Sequence, residues 1–178
     1  MFELQRLQGP NEFQIALQTR RGRDVENAVG PALTEAHHRR YAALLEQYGR
    51  NWRERKPPTA GYNCAGHVWA SRRTCIYEET EWKKILEDDG YRRTDQPMLD
   101  DIVLYVERER GVLHVGRIIE LRQGVTETSP RIPWVISKWS DWSGEVFHHV
   151  RDVPFDMQGF DVNVECWTDR PDKGARSQ

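Results

Sequence analysis

Hydrophobic and polar positions follow a helical period in the first half of the chain. Apolar side chains recur there three and four residues apart, which is the spacing of one face of an α-helix. This spacing predicts helices over residues 31–48 and 78–89, with Gly49 and Gly90 as their stops. A shorter helix is predicted between them over residues 64–72.

From residue 101 onward the pattern becomes that of strands. Residues 101–106 are almost continuously apolar, as expected of a strand buried on both faces. A short polar turn separates them from an antiparallel partner over residues 112–121, and two shorter strands are predicted at 134–137 and 145–150. Helices followed by a meander of strands predict an α+β fold with an antiparallel sheet covered by helices.

Composition and charge narrow the class of protein. The 178 residues are 38% hydrophobic and include seven tryptophans, which suits one domain with a sizeable core. We expect a helical extension over residues 1–50, a main domain over 51–166 and a polar tail over 167–178. A net charge of −2 and a pI near 6.3 give no reason to expect a nucleic-acid or membrane partner.

The number of cysteines and the lengths of the apolar runs indicate in which cellular compartment the protein is expected. Three cysteines are an odd number, so a disulfide framework is not expected. No apolar run reaches the roughly 18 residues of a membrane span, and the N-terminal residues contain no run long enough for a signal peptide. We therefore expect a cytoplasmic protein, or one exported without a conventional signal peptide.

Cys64 is the most informative residue because it opens the predicted short helix. Unpaired N–H groups at a helix N-terminus favour the thiolate, which is the nucleophilic form of cysteine, and they can also bind an oxyanion. The small residues Ala65 and Gly66 follow and leave room for a substrate backbone. Cys75 and Cys166 have no such setting and are expected to be packing or surface thiols.

His114 is the candidate partner of this thiol. A cysteine nucleophile needs an imidazole that accepts its proton and later returns it. Among the six histidines, His114 lies near the start of a predicted strand, which is a rigid position. Gly116, two residues later, allows a substrate or another backbone to approach closely. The sequence therefore indicates a Cys64–His114 pair.

Three segments around these residues resemble the motifs of one known family. The run N-C-A-G-H-V-W at residues 63–69 is similar to the D-C-S-G-F-V motif of the NlpC/P60 cysteine peptidases. The run L-D-D-I-V-L-Y at 99–105 resembles their P-G-D-L-V-F-F strand, and H-V-G-R-I at 114–118 resembles their H-V-G-I-Y strand. The segments keep the family's order, cover roughly residues 60–122, and also resemble the related CHAP amidases.

The resemblance implies a papain-like (NlpC/P60-type) α+β fold, with helices packed on a small antiparallel sheet. It implies that Cys64 is the nucleophile, that His114 is the base and then the acid, and that the Cys64 N–H and the Tyr62 hydroxyl bind the oxyanion. The implied reaction is hydrolysis of an amide or isopeptide bond in a peptide or protein through an acyl-enzyme, without a cofactor or metal. Asn63 and Ala65 replace the family's Asp and Ser at the rim of the site.

A third catalytic residue would orient the imidazole from the next strand. Ser137 is the polar residue at the end of that predicted strand and is our candidate. The surrounding stretch, residues 137–149, resembles S-K-W/L-G…H segments of bacterial papain-like proteins. That resemblance implies that Lys138 and His148 contribute to substrate binding.

Two other functions stay open at this point. One is a papain-like binding module that has lost catalysis. The other is a zinc-binding protein that uses Cys64, His67 and one of His148 and His149. For the hydrolase interpretation, a toxin, an effector or a phage-related enzyme fits the missing signal peptide, and an inhibitor or immunity protein would be a natural partner.

Overall fold

A seven-stranded antiparallel sheet forms most of the fold in this computed structural model, which describes residues 15–154 and 162–171. Neighbouring strands are all antiparallel. In chain order the strands are β1 Trp52–Lys56, β2 Arg92–Arg93, β3 Ile102–Glu107, β4 Gly111–Arg122, β5 Ile132–Ser137, β6 Glu145–His149 and β7 Val162–Thr168. Their order in the sheet is β1-β6-β5-β4-β3-β7-β2.

Three helices accompany the sheet in the described part of the chain: α1 Glu35–Tyr48, α2 Cys64–Trp69 and α3 Glu79–Asp88. α1 begins later than predicted because Thr34 caps it, and Pro31 lies outside. The Thr34 hydroxyl accepts the His37 N–H, and the His37 ring accepts the Thr34 N–H. α2 is shorter than predicted because Ser71 and Arg72 have φ angles of 50° and 66°, which a right-handed helix does not contain.

The predicted fold class is wrong. Of the described residues, 31% are strand and 20% helix, so this part of the chain is mostly sheet and does not have the predicted arrangement of helices packed on a small sheet. The pattern does not predict β1, β2 or β7. In β1 only Trp52 is buried and the four charged residues after it are exposed, so the strand has no alternating signal. β7 also runs past residue 166, where the main domain was expected to end.

One side of the sheet, called the α2 face below, packs against α2. The Arg117 guanidinium of β4 donates to the Val68 carbonyl of α2 at 2.7 Å and so lies on this face. Because side chains alternate along a strand and antiparallel partners share a face, Val115 and its partner Leu104 lie there too. Leu104 and Val115 belong to an apolar cluster that includes residues of α2 and α3: Cys64, Ala65, Val68, Trp82, Ile85 and Leu86.

The other side, called the α1 face, carries the alternate residues of the same strands. His114 and its partner Tyr105 lie on this face, one position away from the α2-facing residues of β4 and β3. Tyr48 of α1 packs in a cluster with Trp52 of β1 on this side. His148 is the direct partner of Trp52 and shares its face. The sheet therefore separates two sets of candidate residues.

Candidate functional site

Asn63 fixes the start of α2 on the α2 face. Its side-chain oxygen accepts the N–H groups of Gly66 at 2.9 Å and Ile76 at 3.1 Å, and its amide donates to the Ile76 carbonyl at 2.8 Å. A Cβ on Gly66 would lie 1.7 Å from the Thr74 carbonyl oxygen, so only glycine fits there. The sequence N-C-A-G thus holds Cys64 in one position against the sheet.

Cys64 is the first residue of α2, as predicted, but its thiol is buried. Burial raises its pKa to about 11, although the backbone N–H groups of Val115, Ala65 and Cys64 itself oppose that rise. The N–H groups at the start of α2 lower this pKa as expected, but burial has the larger effect and the net pKa is raised. Cys64 is a neutral thiol at pH 7 and needs a proton acceptor before it can act as a nucleophile.

His67 lies one helical turn after Cys64 and is 2% exposed. Its Nδ1 is 3.3 Å from a Glu145 carboxylate oxygen, which is close enough for an ion pair but lacks hydrogen-bond alignment. Its Nε2 has no hydrogen-bond partner either. Burial lowers the pKa of His67, and the nearby carboxylate opposes that change. Residues three apart on a helix have Cβ atoms about 5–6 Å apart, which makes His67 a neighbour of Cys64.

Glu145, the first residue of β6, is the centre of a buried polar network on the α2 face. Its carboxylate accepts the Tyr62 hydroxyl at 2.6 Å and the Arg72 Nη2 at 3.1 Å. Burial alone would raise its pKa, but the contacts with His67, Arg72 and Tyr62 outweigh burial and hold the pKa below the ordinary value. Glu145 is therefore an ionised carboxylate beside the imidazole of His67.

Two of the predicted substrate-binding residues take part in structural contacts instead. The Tyr62 hydroxyl, expected at the oxyanion, donates to Glu145. Lys138 is fully buried and its Nζ donates to the carbonyls of Thr59 at 2.7 Å, Asp141 at 3.3 Å and Ser143 at 2.5 Å. These three contacts use all the donors of an ammonium group. The predicted role of Lys138 in binding substrate is therefore not supported.

The structure does not bring the Cys64 thiol and the His114 ring together. The thiol reaches the N–H of Val115, next to His114 in the chain. The His114 ring points to the α1 face, where it stacks on Trp139 with ring centroids 4.1 Å apart. No hydrogen bond joins the two side chains in the part of the chain that the structure describes, and the His114 Nε2 has no partner. Burial holds the pKa of His114 well below its ordinary value.

Three predicted residues do come together on the α1 face. The ring of Trp139 contacts His148, with centroids 5.1 Å apart, as well as His114. Ser137 lies beside β4, because a Cβ on Gly116 would be 2.7 Å from its hydroxyl oxygen. In the described part of the chain, no hydrogen bond joins the Ser137 hydroxyl to the His114 ring. His148 Nδ1 lies 2.7 Å from the His149 carbonyl oxygen.

No family model, curated protein or solved structure matches the chain. The described helices include none that is long and apolar enough to cross a membrane. Within residues 15–154 and 162–171, no group of three or more His, Cys, Asp or Glu side chains could hold a metal ion. The zinc interpretation of Cys64 and His67 gains no support from the structure.

The pairing of His67 with Glu145 is the main feature of the site that the sequence does not reveal. The spacing of Cys64 and His67 on a predicted helix is visible in the sequence and places them on one face. Glu145 is 78 residues further along and precedes an apolar strand, with no local signal that it would face His67. Only the tertiary fold, which places the start of β6 beside α2, brings the carboxylate to the imidazole.

Proposed function

We propose that the chain is a cysteine hydrolase that cleaves an amide or isopeptide bond of a peptide or protein through an acyl-enzyme on Cys64. The observation that carries the proposal is the thiol's setting. A buried imidazole lies one helical turn away, and an ionised carboxylate faces that imidazole. Buried polar atoms without partners are costly, and strongly perturbed ionisable groups concentrate at functional sites.

The backbone around the sulfur supports the same chemistry. The N–H groups of Ala65 and Val115 point at the Cys64 sulfur closely enough to lower its pKa against the effect of burial. Donors directed at the sulfur stabilise its thiolate, which is the nucleophilic form of cysteine. The resemblance of residues 60–122 to the NlpC/P60 and CHAP motifs is the further support from the sequence.

A non-catalytic peptide-binding module is the second candidate. The observation that favours it is the burial of Cys64, whose raised pKa leaves little thiolate at pH 7. For the hydrolase, substrate binding has to make the thiol accessible. Lys138 donates to the carbonyls of both Thr59 and Ser143. Because Thr59 is five residues before Cys64, these hydrogen bonds hold in place the segment that leads into α2.

An acyl donor that needs no knowledge of the natural substrate tests the proposal. Mixing the protein with p-nitrophenyl acetate is expected to release a burst of p-nitrophenol and to leave an acetyl group on Cys64, located by peptide mass mapping. Cys64→Ser should abolish the burst, and the matched variant Cys75→Ser should keep it. The absence of acetyl-Cys64 in the wild-type protein would favour the binding module.

A further inference from the structure

We infer that His67 is the base that takes the proton of Cys64 and that Glu145 positions it. The inference rests on the proposed function and replaces His114 as the partner of the thiol. His67 lies on α2 three residues after Cys64, which makes the two side chains neighbours on the helix, and both are buried. His67 is 2% exposed, its Nδ1 faces the Glu145 carboxylate at 3.3 Å, and its Nε2 has no hydrogen-bond partner. A buried ring nitrogen without a partner is costly, which favours a functional role for Nε2.

The carboxylate of Glu145 determines which ring nitrogen of His67 carries the proton and which carries the lone pair. An Nδ1 that lies 3.3 Å from a carboxylate oxygen favours the tautomer with its proton on Nδ1. Nε2 then carries the lone pair that can accept a proton from the thiol. Tyr62 and Arg72 hold the carboxylate in place by donating to its two oxygens. The same carboxylate stabilises the imidazolium once it forms, as in other catalytic triads.

The other two buried histidines lack this arrangement. In the described part of the chain, His114 is surrounded by the rings of Tyr105 and Trp139, and His148 by those of Trp52 and Trp139. Neither faces a carboxylate among the contacts that the structure shows. His67 is the buried histidine whose charged form has a counter-ion.

The proton transfers balance through one catalytic cycle. Nε2 of His67 takes the thiol proton, giving a thiolate and an imidazolium. The thiolate attacks the acyl carbon, and the imidazolium passes the proton to the amine nitrogen as the C–N bond breaks. Nε2 then takes a proton from water, the hydroxide cleaves the thioester, and the proton returns to Cys64 as the carboxylic acid leaves.

The rate of Cys64 acetylation by p-nitrophenyl acetate, followed against pH, tests this assignment. His67→Gln is expected to slow acetylation at pH 7 by at least about 100-fold, the usual contribution of a general base. His114→Gln tests the competing base, and the exposed His38→Gln is the control for loss of a histidine. Glu145→Gln is expected to move the midpoint of the pH–rate profile to lower pH, because the carboxylate raises the pKa of His67. Glu145→Asp should restore part of that shift, which a purely structural role would not.

A measurement on the wild-type protein covers the case in which these variants fail to fold. Histidine nitrogen NMR is expected to show the Nδ1–H tautomer for His67. Its pKa should change when iodoacetamide blocks Cys64, while those of His114 and His148 should not. The inference is overturned if a folded His67→Gln protein is acetylated on Cys64 as fast as the wild type while His114→Gln is not. That result leaves the proposed function intact. No acetyl-Cys64 in the wild type overturns both.

Discussion

His148 gives the protein a specific sensitivity to acid. Its side chain is fully buried in β6, and burial lowers its pKa from 6.5 to about 4. Below pH 6.5 the unfolded chain binds a proton that the folded chain does not bind, so stability is complete above that pH and falls as the pH drops towards 4. From these two pKa values, His148 alone removes about 2 kcal/mol of unfolding free energy between pH 7 and pH 5.

Urea unfolding at the two pH values measures this loss. Other buried groups titrate in the same direction, because the pKa values of His67 and His114 are lowered as well. The loss of unfolding free energy between pH 7 and pH 5 is therefore compared between the wild type and single-histidine variants. His148→Gln should lose about 2 kcal/mol less than the wild type between pH 7 and pH 5, and the exposed His38→Gln should lose as much as the wild type. An equal loss in His148→Gln and the wild type would show that His148 is not held neutral by burial.

Two further substitutions test the packing around the site by urea unfolding. Gly66→Ala should lower the unfolding free energy by more than about 3 kcal/mol, because its Cβ would lie 1.7 Å from the Thr74 carbonyl oxygen, whereas Gly61→Ala meets nothing nearer than 3.5 Å. Equal effects of the two glycine changes would contradict this packing. Lys138→Met should lower the unfolding free energy by about 3 kcal/mol, because the carbonyls of Thr59, Asp141 and Ser143 each lose the hydrogen bond from the ammonium group. A Lys138→Met protein as stable as the wild type would mean that these contacts contribute nothing.

The central strands could be predicted because their apolar runs are long. The pattern indicates strands at 101–106 and 112–121, and the structure has Ile102–Glu107 and Gly111–Arg122. Edge strand β1 could not be predicted, because only Trp52 faces the core and the charged residues after it look like a linker. Because the pattern misses that strand and β7, it predicts too small a sheet and too large a share of helix.

Of the candidate site, the sequence predicts only the position of Cys64 at the start of a helix. The sequence places Cys64 at the start of a helix, and the structure agrees. It does not reveal which face His114 occupies, because a shift of one residue in register reverses the face. A register irregularity between Tyr105 and Val106 lies directly beside His114, and no local sequence pattern indicates it.

The rate at which each of the three thiols reacts is the most direct test of the central claim. Cys166 is more exposed than Cys64, and burial raises the pKa of both thiols to about 11. Exposure and ionisation alone therefore make Cys166 the faster of the two towards iodoacetamide. Because a neighbouring base would assist Cys64, we expect Cys64 to be alkylated faster than Cys75 and Cys166 at and below pH 7. Reaction of Cys166 first, with Cys64 as slow as Cys75, would contradict a nucleophilic role for Cys64.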